Sequence, residues 1–226
     1  MLFSSIPFLY YFLPCVLILY FAVPARTKNL ILLLASLVFY AWGEPRLVLL
    51  MLITITVGYI LGVLTEDHPK HKKIFLILAI VLSLGALGYF KYADFFIGNF
   101  NAVTGLSIPL LKVALPIGIS FYTFQILSYN IDVYRGEVPA QRDPLKLATY
   151  ITMFPQLIAG PIVRYKDVAV QLEDRKYSVD KAALGVRRFV IGLSKKVLLA
   201  NVMGELCEIF RQSDEKSLLF YWMCLF

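Results

Sequence analysis

Charged side chains are scarce in this chain, and their scarcity argues against a soluble globular fold. Asp, Glu, Lys and Arg together make up 16% of the residues and hydrophobic residues make up 59%, with a mean hydropathy of +0.73. A soluble domain is about half apolar and about a quarter charged. The first 25 residues carry no charge at all, and a membrane-spanning helix needs about 20 mostly apolar residues. The composition therefore predicts an integral membrane protein that crosses the bilayer several times.

Cysteine and histidine are also rare, which argues against disulfide-bonded and metal-binding sites. The cysteines lie in apolar stretches without paired spacing, so we expect buried thiols and no zinc site; they are Cys15, Cys207 and Cys224. The two histidines, His68 and His71, lie in the polar segment Glu66–Lys73. We interpret this segment as a solvated loop, and we assign neither histidine a metal-binding or catalytic role.

The common motifs of soluble enzymes and of nucleic-acid-binding proteins are missing. There is no glycine-rich phosphate loop, and Gly118–Tyr122 lacks the final glycine of a nucleophile elbow. Basic cytoplasmic loops and anionic lipids explain the net charge of +7, so it does not indicate nucleic acid as a partner. The N-terminus lacks the basic region of a secretory signal. Met1–Val23 is therefore predicted to be a retained spanning or re-entrant helix.

Five apolar stretches bounded by charges and prolines are predicted to span the membrane. They are Ile6–Val23, Asn29–Trp42, Leu47–Leu64, Ile74–Phe90 and Val113–Ile131. Phe95–Leu111 holds several polar residues, and we interpret it as an interfacial helix followed by a loop. Leu147–Val163 is uncharged, but Pro155, Gly160 and Pro161 interrupt it, so it is predicted to be a broken or re-entrant element.

The segment from Lys181 to Phe210 is amphipathic. Apolar residues recur there at helical spacing, namely Val186, Phe189, Leu193, Val197 and Ala200. A second stripe consists of Lys181, Gly185, Arg188, Gly192 and Lys195. This pattern fits a helix at the cytoplasmic interface with its basic residues toward lipid headgroups, or a helix that packs on other helices of the protein. The predicted fold is all-α: a polytopic transmembrane helical protein with a re-entrant or broken element and an interfacial amphipathic helix.

Polar side chains inside the fifth predicted span are the first functional signal. Polar residues in spanning helices face other helices or a cavity. For Ser120 and Thr123 we expect hydrogen bonds between helices, whereas Gln125 and Asn130 fit a cavity lining equally well. Asp132 fits a cavity too, but it also fits a helix-end ion pair with Arg135.

The broken element Phe154–Tyr165 is the second functional signal. It carries Gln156 on irregular backbone and ends with the fixed charge of Arg164. Such a break can line a substrate tunnel, or it can serve as a structural bend at the interface. The candidate tunnel residues are therefore Gln125, Asn130, Asp132, Arg135, Gln156 and Arg164.

These same segments resemble a known protein family. The strings LPIGISF at Leu115–Phe121 and FPQLIAGPI at Phe154–Ile162 are long and specific. Shorter likenesses occur at Met1–Ser5, Phe39–Trp42, Gly88–Tyr92 and Arg187–Phe189. Together they resemble the membrane-bound O-acyltransferase family, in particular the membrane component of bacterial alginate O-acetylation systems. The resemblance implies that residues 1–226 form the N-terminal part of a single membrane-bound O-acyltransferase domain.

The resemblance also implies an activity and its partners. It implies O-acyl transfer, and in particular O-acetyl transfer, to a cell-surface polysaccharide such as alginate or another exopolysaccharide, by a multi-pass protein of the bacterial cytoplasmic membrane. The donor would be a cytoplasmic thioester, acetyl-CoA or the phosphopantetheine of an acyl carrier, which acts as a substrate and not as a bound cofactor. Membrane lipids, the donor or its carrier protein, and a separate extracytoplasmic acetyltransferase are the implied partners.

The resemblance assigns no catalytic residue to this chain. Family members are considerably longer and carry an essential histidine in their C-terminal half, so the expected histidine lies beyond Phe226. Ser217–Phe226 begins a new apolar stretch, and we expect the 226-residue chain to be inactive alone. Two other functions stay open: a transporter or flippase whose broken helices form a substrate path, and a non-catalytic membrane scaffold.

The distribution of basic residues predicts the topology, with the N-terminus outside and both Glu66–Lys73 and Arg135–Lys146 in the cytoplasm. Eight basic residues then lie on the inner side: Arg26, Lys28, Lys70, Lys72, Lys73, Arg135, Arg142 and Lys146. Three lie on the outer side: Arg46, Lys91 and Lys112. This bias agrees with the positive-inside rule.

Cysteine labelling of intact cells tests this topology in a background that lacks the native cysteines. A membrane-impermeant maleimide should label Lys112→Cys from outside, and it should label His71→Cys only after permeabilisation. Labelling of His71→Cys in intact cells would contradict the prediction.

Overall fold

The computed structural model describes residues 3–157, 163–173, 175, 177–212 and 222. These residues form helices and loops, and no strand occurs among them, which confirms the predicted all-α fold. The chain divides into two compact units, one of Leu13–Arg175 and one of Leu2–Phe12 with Lys176–Phe226. The assignment of residues 1–226 to one domain stays a prediction.

The first unit contains nine α-helices in its described part. They are α1 (Leu13–Ala22), α2 (Lys28–Ala41), α3 (Val48–Asp67), α4 (Lys72–Leu87), α5 (Ala93–Thr104), α6 (Ile119–Arg135), α7 (Pro144–Thr152), α8 (Phe154–Leu157) and α9 (Tyr165–Glu173). Short 3₁₀ turns, Ala25–Thr27 and Pro45–Leu47, precede α2 and α3. Helices α1 to α3 fall within or close to the first three predicted spans. With its preceding turn, α3 forms an apolar helix, Pro45–Asp67, long enough to cross a membrane.

One long helix replaces the predicted fourth span and the separate interfacial helix. Helices α4 and α5 are joined by a π-helical turn, Gly88–Tyr92, and Lys72–Thr104 is a second helix long and apolar enough to cross a membrane. The helix and loop predicted in Phe95–Leu111 are confirmed, and the interfacial position stays a prediction. The helix continues from α4, because a π turn takes up an extra residue without ending the helix. The long helix ends at Gly105, whose positive φ of 73° is a common C-terminal cap.

The fifth predicted span begins and ends later than the sequence indicated. Its helix, α6, begins at Ile119 and not at Val113. Pro116 offers no backbone N–H, and Gly118 adopts a left-handed φ of 75°. A Cβ atom at Gly118 would lie 2.9 Å from the Leu157 carbonyl oxygen, so the entry to α6 is packed closely against α8.

The predicted break in Leu147–Val163 is confirmed at Met153. Helix α7 begins at the N-cap Asp143, whose Oδ1 accepts a hydrogen bond from the Leu145 amide at 2.9 Å. It ends where Met153 turns to an extended ψ of 111°, and α8 follows. The amide of Phe154 donates to Ser36 Oγ of α2 at 3.2 Å. Gly160 and Pro161 lie outside the described residues, and re-entry of this element into the membrane stays a prediction.

Two glycines set the packing at the centre of this unit, where α3, α4 and α6 contact one another. Gly58 and Gly62 of α3 face α6 with the G-x-x-x-G spacing that lets membrane helices approach closely. A Cβ atom at Gly62 would lie 2.8 Å from Tyr129 Cε1, and one at Gly58 would overlap Ile126. The spacing is visible in the sequence, although no prediction above was based on it.

The second unit contains a helical run that matches the predicted amphipathic segment. It consists of α10 (Val179–Lys195), a π-helical turn (Lys196–Ala200) and α11 (Asn201–Gln212). Its apolar residues Val186, Phe189 and Val197 are exposed. The helix is therefore confirmed, and its place at the membrane interface stays a prediction. Residues 213–221 and 223–226, which include Cys224 and most of the predicted new apolar stretch, lie outside the described residues.

The glycine contacts predict a stability difference between two glycine-to-alanine variants. Gly62→Ala should destabilise the protein by about 1–3 kcal/mol, because the added methyl group overpacks a closed interface. Gly85→Ala is the matched control, since no atom lies within 4 Å of its added Cβ. Thermal unfolding of the detergent-purified protein measures both variants. Equal loss of stability in the two would contradict this account of the packing.

Candidate functional site

The middle of α6 carries a row of polar side chains that the fold buries. Tyr122, Thr123, Gln125 and Asn130 are each 1% exposed, and Asp132 is 4% exposed. They are buried because α6 contacts α3, α4, α7 and α9 and is thus enclosed by protein. Three of the predicted tunnel residues therefore lie in the interior of the first unit, on its central helix.

Several of these buried groups have an atom without a hydrogen-bond partner. Among the described residues, the unpartnered buried atoms are Tyr40 Oη, Tyr122 Oη, Thr123 Oγ1, Gln125 Oε1, Asn130 Oδ1 and Asp132 Oδ2. An unsatisfied buried polar atom costs about 1–3 kcal/mol. Native proteins keep few such atoms. Their concentration on α6 therefore indicates a functional role for this helix, because stability alone would disfavour them.

Of the two predicted hydrogen bonds between helices, one is present in the structure. Ser120 Oγ accepts a hydrogen bond from Lys91 Nζ of the π-helical turn at 3.2 Å, as predicted. Thr123 Oγ1 is without a partner, so that expectation was wrong. Asn130 uses its amide nitrogen on the Ile126 carbonyl at 2.9 Å, which leaves its side-chain oxygen unpaired.

The suggested ion pair between Asp132 and Arg135 does not form. The guanidinium of Arg135 is 3.7 Å from Glu137 Oε1 instead, and its side chain is 62% exposed. Asp132 points into the protein, and its Oδ2 has no partner among the described residues. A buried carboxyl group inside a membrane protein is by default a functional-site candidate.

The loop after α6, residues 136–143, is held in place by one residue above all, Gln141. Gly136 caps α6 with a φ of 73°, and the chain then turns back. The Gln141 backbone N–H donates to Tyr129 Oη at 2.9 Å, and the side-chain Nε2 of Gln141 donates to Tyr165 Oη at 2.6 Å. Gln141 Oε1 accepts from the Asp143 amide at 3.0 Å. Gln141 thereby ties the loop to α6, to α9 and to the start of α7.

Residues at the C-terminal end of α3 form hydrogen bonds and ion pairs with the other side of the same loop. Arg142 bonds to both Asp67 oxygens, at 3.0 and 2.7 Å, and to Glu66 Oε2 at 2.6 Å. Tyr59 Oη donates to the Arg142 carbonyl at 2.7 Å. The hydrogen bond with Asp67 raises the pKa of Arg142 further. Because these groups are partly exposed, the ion pairs set the loop geometry more than they add stability.

This rigid loop and α9 enclose a groove of about 710 Å³. Tyr165 lies buried at one side of it, and burial raises the pKa of its phenol. The lining residues are Glu137, Val138, Pro139, Ala140, Gln141, Arg142, Asp143, Lys146, Tyr165, Lys166, Ala169, Val170 and Glu173. We call this cavity the α9 groove. Its size is that of a small-molecule site.

Glu137 lies at the groove and forms ion pairs with two cations. Lys166 Nζ is 3.1 Å from Glu137 Oε2, and Arg135 approaches Glu137 Oε1 as described above. The hydrogen bond from Lys166 holds the pKa of Glu137 below its usual value, with smaller contributions from Arg135 and Arg164. At the other end of the groove, Lys146 and Glu173 form a one-to-one pair at 2.9 Å.

The broken element is organised around Tyr150. Gln156 Nε2 donates to the Tyr150 carbonyl at 2.6 Å, and Tyr150 Oη donates to the Val163 carbonyl at 2.6 Å. Gln156 therefore uses its amide nitrogen on the last turn of α7. Arg164 follows Val163 and is exposed. Its charge contributes to the lowered pKa of Glu137.

The predicted site residues thus fall into three places. Gln125, Asn130 and Asp132 lie in the interior of the unit, and Gln156 lies against the last turn of α7. Arg135 and Arg164 are the two whose charges lower the pKa of Glu137. Sequence reasoning missed Gln141, Tyr165 and Lys166, because each acquires its role only through contacts across long stretches of chain. Gly136 was a readable signal, since a glycine after a helix marks the start of a loop.

Comparison with known proteins identifies the chain's relatives. The sequence model of the membrane-bound O-acyltransferase family matches residues 30–226. A probable alginate O-acetylase, AlgI, of Pseudomonas aeruginosa is 42% identical over 215 residues, which cover 92% of this chain and 41% of that protein. The protein of the same description from Azotobacter vinelandii is 40% identical, over 95% of this chain and 44% of that protein.

A relative with lower identity is described by a different activity. A peptidoglycan O-acetyltransferase of Helicobacter pylori is 31% identical, over 99% of this chain and 49% of that protein. The chain therefore spans less than half the length of these curated relatives. No solved structure matches it significantly.

A pair of threonine-to-valine variants tests whether the interior of α6 serves function rather than stability. Thr149→Val should lose about 1 kcal/mol, because Thr149 Oγ1 bonds to the Leu145 carbonyl at 2.7 Å and to the Asn29 carbonyl at 3.1 Å. Thr123→Val keeps the shape and removes a buried oxygen that has no partner, so it should raise stability or leave it unchanged. Thermal unfolding of the purified protein compares the two. Equal destabilisation would show that Thr123 has a partner and would remove it from the candidate site.

Proposed function

This chain belongs to the membrane-bound O-acyltransferase family, and on that premise we propose that the protein transfers acyl groups, in particular acetyl groups, to hydroxyls of a cell-surface polysaccharide. The observation that carries the proposal is the family match over residues 30–226 together with relatives described as O-acetylating alginate or peptidoglycan. Alginate or another exopolysaccharide is the proposed acceptor, because the relatives with the higher identity carry the alginate description.

We place the protein in the bacterial cytoplasmic membrane as a multi-pass protein. Two helices, Pro45–Asp67 and Lys72–Thr104, are long and apolar enough to span a bilayer. Their outward residues are large and apolar, as lipid contact requires, for example Ile53, Ile77 and Val81. The family is membrane-bound, and its bacterial relatives act on material outside the cytoplasm, which supports this location.

The reaction follows from the donor and acceptor. A polysaccharide hydroxyl oxygen attacks the thioester carbonyl, the C–S bond breaks, and the thiol leaves with the hydroxyl proton. The proposed donor is acetyl-CoA or an acyl carrier's phosphopantetheine on the cytoplasmic side, and the proposed outer partner is an extracytoplasmic acetyltransferase. We assign the role of general base to the histidine that family members carry in their C-terminal half, which has no counterpart among these 226 residues.

The proposed contribution of this chain is a polar route and its entrance. Gln125, Asn130 and Asp132 supply unpaired polar atoms inside the helix bundle, where a polar substrate gains hydrogen bonds that lipid cannot offer. Gln156 and Arg164 belong to the break in the chain beside it. Irregular, polar surface at membrane depth persists only around a cavity. A cavity of this kind would give an acyl group its path through the membrane.

Deletion of the coding gene in its host tests the proposal. We expect the deletion to lower ester-linked acetate on the exported polysaccharide, measured after mild alkaline release, and the intact gene to restore it. Unchanged ester content in the deletion strain would refute the proposed function.

A substitution series in the chromosomal gene refines the test. Arg164→Ala should reduce esterification at normal protein levels, and Arg164→Lys should restore only part of it, since a planar guanidinium fork is not replaced by an ammonium group. The double variant His68→Ala with His71→Ala is the control, because both histidines lie in the polar connection between α3 and α4. Full esterification in Arg164→Ala would remove Arg164 from the entrance.

A further inference from the structure

The segment that follows α5 is fastened along that helix by side chains of the helix itself. Asn101 bonds to both backbone groups of Ile108: its Oδ1 accepts from the N–H at 3.0 Å, and its Nδ2 donates to the carbonyl at 2.8 Å. The two carboxylate oxygens of Asp94 accept hydrogen bonds from the backbone N–H groups of Leu111 and Lys112, at 2.7 and 3.0 Å. The chain therefore runs back along α5, although it forms neither a helix nor a strand there.

We call α5 together with residues 105–112 the α5 clip, and most of its polar groups are satisfied within it. The structure describes all eight residues of this segment: five of their backbone N–H groups donate hydrogen bonds inside the clip, and Pro109 has no N–H. On the helix, Asn99 Nδ2 donates to the Phe95 carbonyl at 2.8 Å. Irregular backbone requires this internal pairing where water is absent, whereas water itself satisfies the backbone of a solvated loop.

The outer surface of the α5 clip is apolar. Helix α5 has no buried residue, and Phe96, Phe100 and Val103 are each more than half exposed. The segment exposes four large apolar side chains as well, those of Leu106, Ile108, Leu110 and Leu111. A protein interface forms about one hydrogen bond per 100–200 Å², and the clip uses most of its donors and acceptors on itself. Lipid acyl chains need no such partners, so they suit this surface better than a protein does.

The helix that carries the clip is longer than a bilayer needs. Lys72–Thr104 contains 33 residues and is about 50 Å long, whereas the hydrocarbon core is about 30 Å thick. The stretch from Lys72 to Lys91 alone measures about 29 Å. Lys91 and Tyr92 are residue types that anchor helices at the membrane–water interface, and they lie in the π turn Gly88–Tyr92, a common place for a helix to bend. Helix α5 therefore follows the part of the helix that crosses the hydrocarbon.

We propose that the α5 clip is a membrane anchor that lies along the bilayer surface, with its apolar side chains among the lipid acyl chains. Asp94 and Asn101 bind the backbone of the segment, so that an irregular stretch of chain can enter lipid without unpaired polar groups. The exposed Lys91 and Lys112 mark the level of the headgroups. Only residues 113–118 separate the clip from α6, so the anchor sets the depth at which that helix begins.

Collision rates of nitroxide spin labels test whether the clip contacts lipid or water. The protein, with its native cysteines replaced by alanine, is reconstituted in nanodiscs with a label at Val103→Cys or Leu110→Cys. Both labels should collide with oxygen, which dissolves in acyl chains, more often than with a water-soluble nickel complex. A label at Ile77→Cys, exposed on α4, should behave in the same way, and one at Lys70→Cys, in the exposed polar turn, should show the reverse preference. A preference for nickel on the clip would overturn the proposal. Protection of the clip from both reagents would also overturn it, because a protein surface or a second copy of the chain would then cover the clip.

Two asparagine variants test whether the side-chain bonds of α5 allow the segment to enter lipid. Asn101→Ala frees two backbone groups of the segment, so backbone N–H groups of residues 105–112 should exchange with deuterium up to about tenfold faster, and the Leu110 label should shift toward nickel. Asn99→Ala is the matched control on the same helix, because Asn99 bonds to Phe95 within α5, and it should change neither measurement. Since α5 buries no side chain, the unfolding midpoint should stay unaltered in both variants. Equal behaviour of the two variants would contradict the proposal.

Discussion

The close approach of α3 to α6 is the constraint on which the rest of the first unit depends. Gly58 and Gly62 leave room for Ile126 and Tyr129, so α6 can lie at the centre of the bundle and contact helices around it. Because α6 is central, the polar side chains on its enclosed faces lie in the protein interior. The same packing places Tyr129 where its hydroxyl accepts a hydrogen bond from the Gln141 backbone N–H at 2.9 Å. This bond helps to fix the loop that forms the groove.

The polar interior of α6 works against the stability that this packing provides. Acceptor atoms such as Gln125 Oε1, Asn130 Oδ1 and Asp132 Oδ2 are buried without partners among the described residues. In a bilayer such groups gain nothing from lipid, and a sequence optimised for stability alone would use apolar residues there. The arrangement makes sense if the interior must accommodate something polar, as the proposed transfer of an acyl group through a membrane would require.

The α9 groove shows how an ordered surface arises from residues that are individually ordinary. The pairs Lys146–Glu173 and Lys166–Glu137 are partly exposed and add little stability. Their main effect is to position both ends of α9. The buried residues Tyr165 and Leu172 already pack this helix against the unit. A short helix fixed at both ends beside a loop fixed by Gln141 makes a cavity that keeps its shape without a ligand.

The sequence by itself determined the class of the fold, the existence of most helices and the family. Long apolar runs can only be membrane helices because backbone groups in lipid need internal partners, and Pro155 marks the region where the chain breaks, at Met153. Helix ends were less predictable: the π turn at Gly88–Tyr92 let a helix continue where polarity suggested a stop, and the left-handed Gly118 delayed the start of α6. Only the tertiary structure decided that Asp132 is buried while Arg135 turns outward to Glu137. It alone brought Gln141 to Tyr165, 24 positions apart, because contacts between distant segments depend on how the helices pack and leave no local pattern in the sequence.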